Sequence, residues 1–150
     1  PLENYTVNRN EITAGTVSPS YILPIQGLQR LEKIMDEYAG GINTKYLTNE
    51  PMLNRGVELL QMLKEDLDYL GADSLHQLQR AWELHHRVLA SECVTQHTLF
   101  RKETRWPGYY YRADFPKLDD KDWHCFTLSQ YDEKSKSWSM EKAPVQHIID

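Results

Sequence analysis

The sequence predicts a mainly α-helical fold: a three-helix, up-down-up bundle followed by an irregular aromatic segment and a short β-hairpin. Three stretches carry apolar residues three or four positions apart, which is the spacing of an amphipathic helix. Short connections that contain glycine separate these stretches, and short connections favour antiparallel neighbours. After residue 100 the periodicity stops. We therefore divide the chain into an extended lead-in (1–22), the bundle (23–100), and a docking segment with hairpin and tail (101–150).

The first helix is predicted over Pro24–Tyr38. Pro24 suits the first turn, where its missing N–H costs nothing, and the pair Gly40-Gly41 ends the helix. The predicted apolar stripe consists of Leu28, Leu31, Ile34, Met35 and Tyr38.

The second helix is predicted over Asn49–Leu70 and has the most regular pattern. Its leucines recur every seven residues, which is typical of a seam between helices. Thr48 or Asn49 supplies the N-cap, and Gly71 ends the helix. The predicted seam residues are Leu53, Gly56, Leu60, Leu63, Leu67 and Leu70.

The third helix is predicted from Ser74 to about Leu99. Ser74 and Gln77 have the spacing of a capping box. The predicted inner stripe is Leu75, Leu78, Trp82, His85 and Leu89, with Ala81 and Val88 beside it.

The segment Phe100–Asp120 combines charged and aromatic side chains but follows neither helical nor strand periodicity, and proline and glycine interrupt it. Rings of this size need a covering surface. Either the segment folds back over the chain's own helices, or it docks on a larger protein body. Its charged groups either bridge to that body or pair with one another. The interface candidates are Glu103, Arg105, Trp106, Tyr109, Tyr110, Tyr111, Arg112, Asp114 and Phe115.

Two short strands are predicted near the end, Trp123–Ser129 and Ser137–Met140, with the polar turn Asp132–Lys136 between them. A capped turn at Asp119-Asp120 precedes the first strand. The apolar pair Ile148-Ile149 is expected to rest on a surface.

Composition excludes several classes of protein. The net charge of −5 argues against general nucleic-acid binding, and no run approaches the roughly 18 apolar residues of a membrane span. The polar start lacks a signal-peptide pattern, and Cys93 and Cys125 form no metal motif, so we expect a cytoplasmic protein. Because the chain starts at Pro1 rather than Met, we expect a processed product or a fragment.

No catalytic, cofactor-binding or metal site is predicted within the chain. His85 and His86 would point about 100° apart on a helix and would not chelate one ion well, so His85 is best interpreted as a core residue. Neither of the glycine-rich phosphate-binding motifs occurs. An independent small enzyme or metal protein that uses His85, His86 or Asp119-Asp120 is the least favoured hypothesis.

Three motifs after the third helix resemble a known family. They are Arg101–Arg105 (RKETR), Tyr111–Pro116 (YRADFP) and Asp119–Trp123 (DDKDW). Together they resemble the C-terminal signature of fumarate reductase and succinate dehydrogenase flavoproteins, E-S-R-G-A-H-x-R-x-D-x-P-x-R-D-D-x-x-W. Thr104 stands in place of the usual Ser, and Leu118 in place of a common Arg.

The run Glu103–Arg112 (ETRWPGYYYR) is similar to one branch of that family, the alpha, flavin-bearing subunit of dissimilatory adenylylsulfate reductase. The resemblance spans about Val17 to Asp150. It implies a C-terminal domain of an oxidoreductase of sulfur metabolism that reduces adenylylsulfate to sulfite and AMP. It also implies FAD elsewhere in the subunit and iron–sulfur clusters in a beta subunit.

The family's flavin fold and its substrate-binding residues have no counterpart in these 150 residues. We therefore expect no cofactor and no turnover in this chain alone. Its expected partners are the FAD-binding domain of the same subunit and the iron–sulfur beta subunit, and its exposed aromatic residues could also cause self-association. The alternative is a free-standing helical interaction module, which would have no flavoprotein sequence upstream of Pro1.

Overall fold

The computed structural model describes residues 21–106 and 109–146, which are mainly helical with a small antiparallel hairpin. Most of the predicted lead-in and the pair Ile148-Ile149 lie outside the described residues. The elements in chain order are α1 (Pro24–Tyr38), β1 (Leu47–Thr48), α2 (Glu50–Asp66), a 3₁₀ turn (Leu67–Tyr69), α3 (Leu75–Phe100), β2 (Tyr111–Arg112), α4 (Asp120–Trp123), β3 (Cys125–Asp132) and β4 (Ser137–Pro144).

Side-chain caps set the starts of the helices, as the sequence predicts. The side-chain oxygen of Asn49 accepts a hydrogen bond from the Met52 N–H at the start of α2. Ser74 Oγ accepts from the Gln77 N–H at the start of α3. The helix α1 has the predicted bounds, and Gly40, with φ of +83°, follows it in the left-handed region that favours glycine.

The second helix is shorter than predicted. It ends at Asp66, and a 3₁₀ turn carries the chain to Tyr69. Leu70 is extended and forms a parallel bridge with Ile22, whose N–H donates to the Tyr69 carbonyl. A 3₁₀ turn also keeps residues three apart on nearly the same side, so the leucine spacing continues through it. The spacing alone therefore did not show where the α-helix ends.

The described residues divide into two compact units, and the first comprises 21–34 and Glu58–Ser91. Within it, Gly27 permits close packing, since a Cβ there would lie 2.5 Å from Cδ2 of Leu84. The described core of this unit is apolar. Its buried hydrophobic residues are Leu31, Ile34, Leu60, Leu63, Leu67, Leu70, Ala72, Ala81, Leu84 and Val88.

The predicted inner stripe of α3 is wrong in phase. Leu75, Trp82 and Leu89 are 67%, 52% and 40% exposed, whereas Ala81 and Val88 are buried. The prediction followed the largest apolar side chains. Burial instead follows Ala81 and Val88, which the prediction placed beside the stripe. Leu84, absent from the predicted stripe, completes the buried line.

The described residues of the second unit are Met35–Val57, 92–106 and 109–146, and their interior is largely polar. Leu53 and Trp123 are its buried hydrophobic residues. Its buried polar residues are Thr48, Glu92, Thr95, Glu103, Thr104 and Arg112.

The hairpin pairs β3 with β4 and is longer than predicted. Trp123 lies in α4 rather than in a strand, because Asp119 caps a short helix there by accepting from the N–H groups of Lys121 and Asp122. Burial alternates along β3, so one face is partly covered and the other carries exposed Phe126 and Leu128.

Candidate functional site

A two-residue parallel ladder organises the aromatic segment. The strand β1 pairs with β2 so that Leu47 lies beside Tyr111 and Thr48 beside Arg112. Successive strand residues point to opposite sides. Thr48 and Arg112 are accordingly fully buried, while Leu47 and Tyr111 are 46% and 36% exposed. The ladder therefore separates a buried polar side from an exposed apolar side.

On the buried side, Arg112 caps the C-terminal end of α3. Its Nη1 donates to the carbonyl oxygens of Thr98, Leu99 and Arg101, the last two at 3.2 and 3.0 Å. These carbonyls are among those that a helix end leaves without a partner. A cation at this position also complements the helix dipole.

Asp114 completes this arrangement on the other side of the guanidinium. Arg112 Nε and Nη2 donate to its two carboxylate oxygens at 2.9 and 2.8 Å. The same carboxylate accepts the Glu50 N–H, at the first turn of α2, at 2.9 Å. Hydrogen bonds from Arg112 and then from Glu50 outweigh burial and lower the pKa of Asp114. The pair thus joins the end of one helix to the start of another.

Glu103 is the second fully buried charge. Its Oε1 accepts from Arg101 Nη1 and from Arg105 Nε, both at 2.6 Å. Its Oε2 accepts from Arg105 Nη2 at 3.1 Å and from the Asp119 N–H at 2.9 Å. Burial alone would raise the pKa of Glu103, but the hydrogen bonds from Arg105, Asp119 and Arg101 outweigh it and the pKa is lowered.

The polar network extends along α3 toward the hairpin. Arg101 Nη2 donates to the Cys125 carbonyl at 2.9 Å. One turn earlier, the two ring nitrogens of His97 lie 3.0 and 2.9 Å from the hydroxyls of Thr127 and Ser129. Burial, and then the neighbouring Arg101, lower the pKa of His97. The covered face of β3 is therefore held to α3 by polar contacts.

The rings among the interface candidates have different environments. Trp106 and Tyr109 are 62% and 79% exposed. Tyr110 is half-buried, its hydroxyl donates to the Glu103 carbonyl at 3.4 Å, and burial raises its pKa. Phe115 is half-buried beneath the Arg112 guanidinium, which lies 5.1 Å from the ring centroid.

The charged candidates lie in contact with one another. Glu103 and Arg112 have no exposed surface, and the ion pairs are Glu103 with Arg105 and Arg112 with Asp114. The exposed rings remain the candidates for docking. Sequence reasoning missed the loop before Leu47, because nothing in its composition signals the ladder with Tyr111.

Other chemistry is sparse in the described part of the chain. Residues 21–106 and 109–146 contain no group of three or more His, Cys, Asp or Glu side chains that could hold a metal ion. His85 is half-buried, and burial lowers its pKa. A cavity of about 350 Å³ in the first unit is lined by Pro24, Ile25, Leu28, Arg80, Glu83, Leu84 and Arg87. Among the helices that the structure describes, none is both long and apolar enough to cross a bilayer.

A family model described as the fumarate reductase flavoprotein C-terminus matches residues 28–148. The chain belongs to this family of flavoprotein C-terminal domains, which confirms the resemblance seen in its motifs.

Particular relatives point to one branch. The adenylylsulfate reductase subunit alpha of Megalodesulfovibrio gigas is 44% identical over 149 residues, covering 99% of this chain and 22% of that protein. A solved adenylylsulfate reductase from the hyperthermophilic Archaeoglobus fulgidus is 56% identical with a TM-score of 0.87, covering 99% of this chain and 23% of that one. Quinol fumarate reductase of E. coli, at 17% identity, a TM-score of 0.71 and coverage of 95% and 24%, shares the fold alone. The chain thus spans less than a quarter of the length of these relatives.

Proposed function

We propose that this chain is the C-terminal domain of the FAD-bearing alpha subunit of a dissimilatory adenylylsulfate reductase, whose holoenzyme reduces adenylylsulfate to sulfite and AMP. The identity of 56% to the Archaeoglobus enzyme carries the proposal, because a fumarate reductase with the same fold is only 17% identical. Because both branches share the fold, sequence identity rather than fold similarity distinguishes them.

The domain's role in this proposal is to brace and dock. Within the first unit, segments of all three helices contribute buried leucines, which supports an up-down-up bundle as its framework. In the second unit, the paired charges hold the aromatic segment in one conformation. FAD then resides in the remaining part of the subunit, and iron–sulfur clusters reside in a beta subunit that this subunit binds.

The arginines of the aromatic segment are engaged within the chain: Arg105 and Arg101 donate to Glu103, and Arg112 donates to Asp114 and to helix carbonyls. This pairing supports a flavin site elsewhere in the subunit. We therefore expect the purified 150-residue chain to be helical and colourless. Flavin absorbance at a stoichiometric level would contradict this expectation.

The decisive experiment uses the whole subunit with its iron–sulfur partner and a reduced artificial electron donor. Adenylylsulfate should be converted to sulfite and AMP, while fumarate should not be reduced to succinate. Reduction of fumarate without reduction of adenylylsulfate would place the protein in another branch of the family and refute the proposal.

A further inference from the structure

We propose that Leu47 and Tyr111, together with Tyr46, Trp106 and Tyr109, form one preordered docking surface for an apolar face of the same polypeptide outside these 150 residues. This inference rests on the proposed function, because the partner is the remainder of the flavoprotein subunit. The proposed surface includes the exposed rings of the aromatic segment. It also includes the loop that carries Tyr46 and Leu47, which has no recognisable sequence motif. We refer to the five residues as the ring surface.

The backbone ladder places the two halves of the ring surface side by side. The Tyr111 N–H donates to the Tyr46 carbonyl at 2.7 Å, and the Ala113 N–H donates to the Thr48 carbonyl at 2.8 Å. These bonds fix the register in which Leu47 lies beside Tyr111. Paired residues of a ladder point to the same side, so the two exposed side chains belong to one surface.

The loop that carries Tyr46 and Leu47 is held in an unusual conformation. Lys45 and Tyr46 have φ of +54° and +62°, a region in which side chains other than glycine are uncommon. Such strain persists only where the surroundings determine the conformation. Here the Tyr46 N–H donates to the Gly41 carbonyl at 2.9 Å, and the Asn43 N–H donates to Asp36 Oδ1 at 3.0 Å.

The ordered conformation of this loop should favour binding. A loop that is already ordered loses little further conformational freedom when it docks, and preorganisation of this kind favours association. Tyr111 is also held in place, because the neighbouring Arg112 donates hydrogen bonds to Asp114 and to a carbonyl at the end of α3. Leu47 and Tyr111 are therefore already held side by side before any partner binds.

The chemistry of the surface indicates its partner. The exposed fractions are 46% for Leu47, 39% for Tyr46, 36% for Tyr111, 62% for Trp106 and 79% for Tyr109. These five side chains are four rings and one aliphatic group, and the neighbouring Arg112 is already paired with Asp114. Such a surface fits an apolar face with hydrogen-bond acceptors for phenolic hydroxyls. The matched relatives carry more than three quarters of their length outside the matched region. We place the partner face in the corresponding part of this subunit.

The test compares Leu47→Asp with a matched control, Leu128→Asp, in the whole subunit. Both leucines are 46% exposed in this chain, and Leu128 belongs to the β3–β4 hairpin rather than to the ladder of β1 and β2. Hydrogen–deuterium exchange is measured on peptides containing residues 46–48 and 109–113. We expect exchange at least tenfold slower in the whole wild-type subunit than in the 150-residue chain. Leu47→Asp should remove that protection and Leu128→Asp should preserve it.

Tyr109→Ser provides a second variant that does not depend on the ladder, since this ring is almost fully exposed. It should also speed exchange at residues 46–48 in the whole subunit. The inference is overturned if wild-type exchange is equal in subunit and chain, or if Leu47→Asp behaves like Leu128→Asp. It is also overturned if the protection in the chain alone rises with its concentration, because a second copy is then the partner. Sulfite formation by the wild-type holoenzyme is measured in parallel, and its failure would instead refute the proposed function.

Discussion

The two units of this domain bury different kinds of side chain. In the described residues of the first unit, the core consists of leucines with Ile34, Val88 and two alanines. In those of the second unit, most of the buried residues are polar or charged, and the largest fully buried side chain is Arg112. One polypeptide thus uses two ways of filling an interior.

The contrast between the apolar and the polar interior shows which interactions make one conformation specific. Hydrophobic burial is non-directional and roughly proportional to area, so an apolar core tolerates exchanges that conserve volume. A buried ion stays in place only if it is paired and its hydrogen-bonding capacity is used. Glu103 meets this requirement with four hydrogen bonds in the described part of the chain. The second unit should therefore tolerate far fewer substitutions than the first.

The largest expected effect is in the polar interior. Arg112→Met should destabilise the chain by about 3–5 kcal/mol, because Asp114 loses its ion-pair partner and the carbonyls at the end of α3 lose their donor. Urea denaturation followed by circular dichroism measures the loss, with exposed Arg80→Met as the control. A loss below about 1 kcal/mol would show that the buried ions do not determine the stability of the second unit.

A somewhat smaller effect is expected in the apolar core. Leu60 is fully buried, so Leu60→Ala should cost about 2–5 kcal/mol through lost transfer free energy and a residual cavity. Leu75→Ala should be nearly neutral, because Leu75 is 67% exposed. If both variants lost the same free energy of unfolding, Leu75 would be a core residue of α3, as the sequence predicted, and the observed burial pattern would be refuted.

Acid should weaken the second unit through Glu103. The folded-state pKa of Glu103 is lowered from its ordinary value of 4.5, so its contribution is complete above pH 4.5 and disappears as the pH falls through the folded value. The free energy of unfolding should decrease over that range. In Glu103→Gln this decrease should be shallower, and the difference in stability from wild type should shrink toward low pH. Parallel pH profiles would contradict the assignment.

The smallest expected effect is on the exposed rings. Trp106→Ser should change the stability of this chain by no more than about 0.5 kcal/mol, because the side chain is 62% exposed. Thermal unfolding of the 150-residue chain measures this change. If Trp106→Ser proved as harmful as Leu60→Ala, the ring would be a packing element of the chain itself.

The contact between α3 and the hairpin illustrates a feature that sequence alone does not show. Cys93, His97 and Arg101 are four residues apart and face Ser129, Thr127 and Cys125, which are two apart. Four helical residues rise about 6 Å, and two strand residues rise about 6.8 Å, so the two series stay in register. Neither set of residues shows an apolar pattern in the sequence, because the face that each element covers is lined by polar residues.

The sequence by itself determined the positions of the three long helices, the caps of α2 and α3, and the buried leucines of α2, because propensity, capping and apolar spacing act within a few residues of one another. It also determined the family, through side chains that survive as motifs. Tertiary structure alone decided the phase of α3, the ladder between Leu47 and Tyr111, and the pairing of Glu103 with Arg105 and of Arg112 with Asp114. These features join residues that are distant in sequence, and a charged residue looks the same in a sequence whether it meets water or a buried partner.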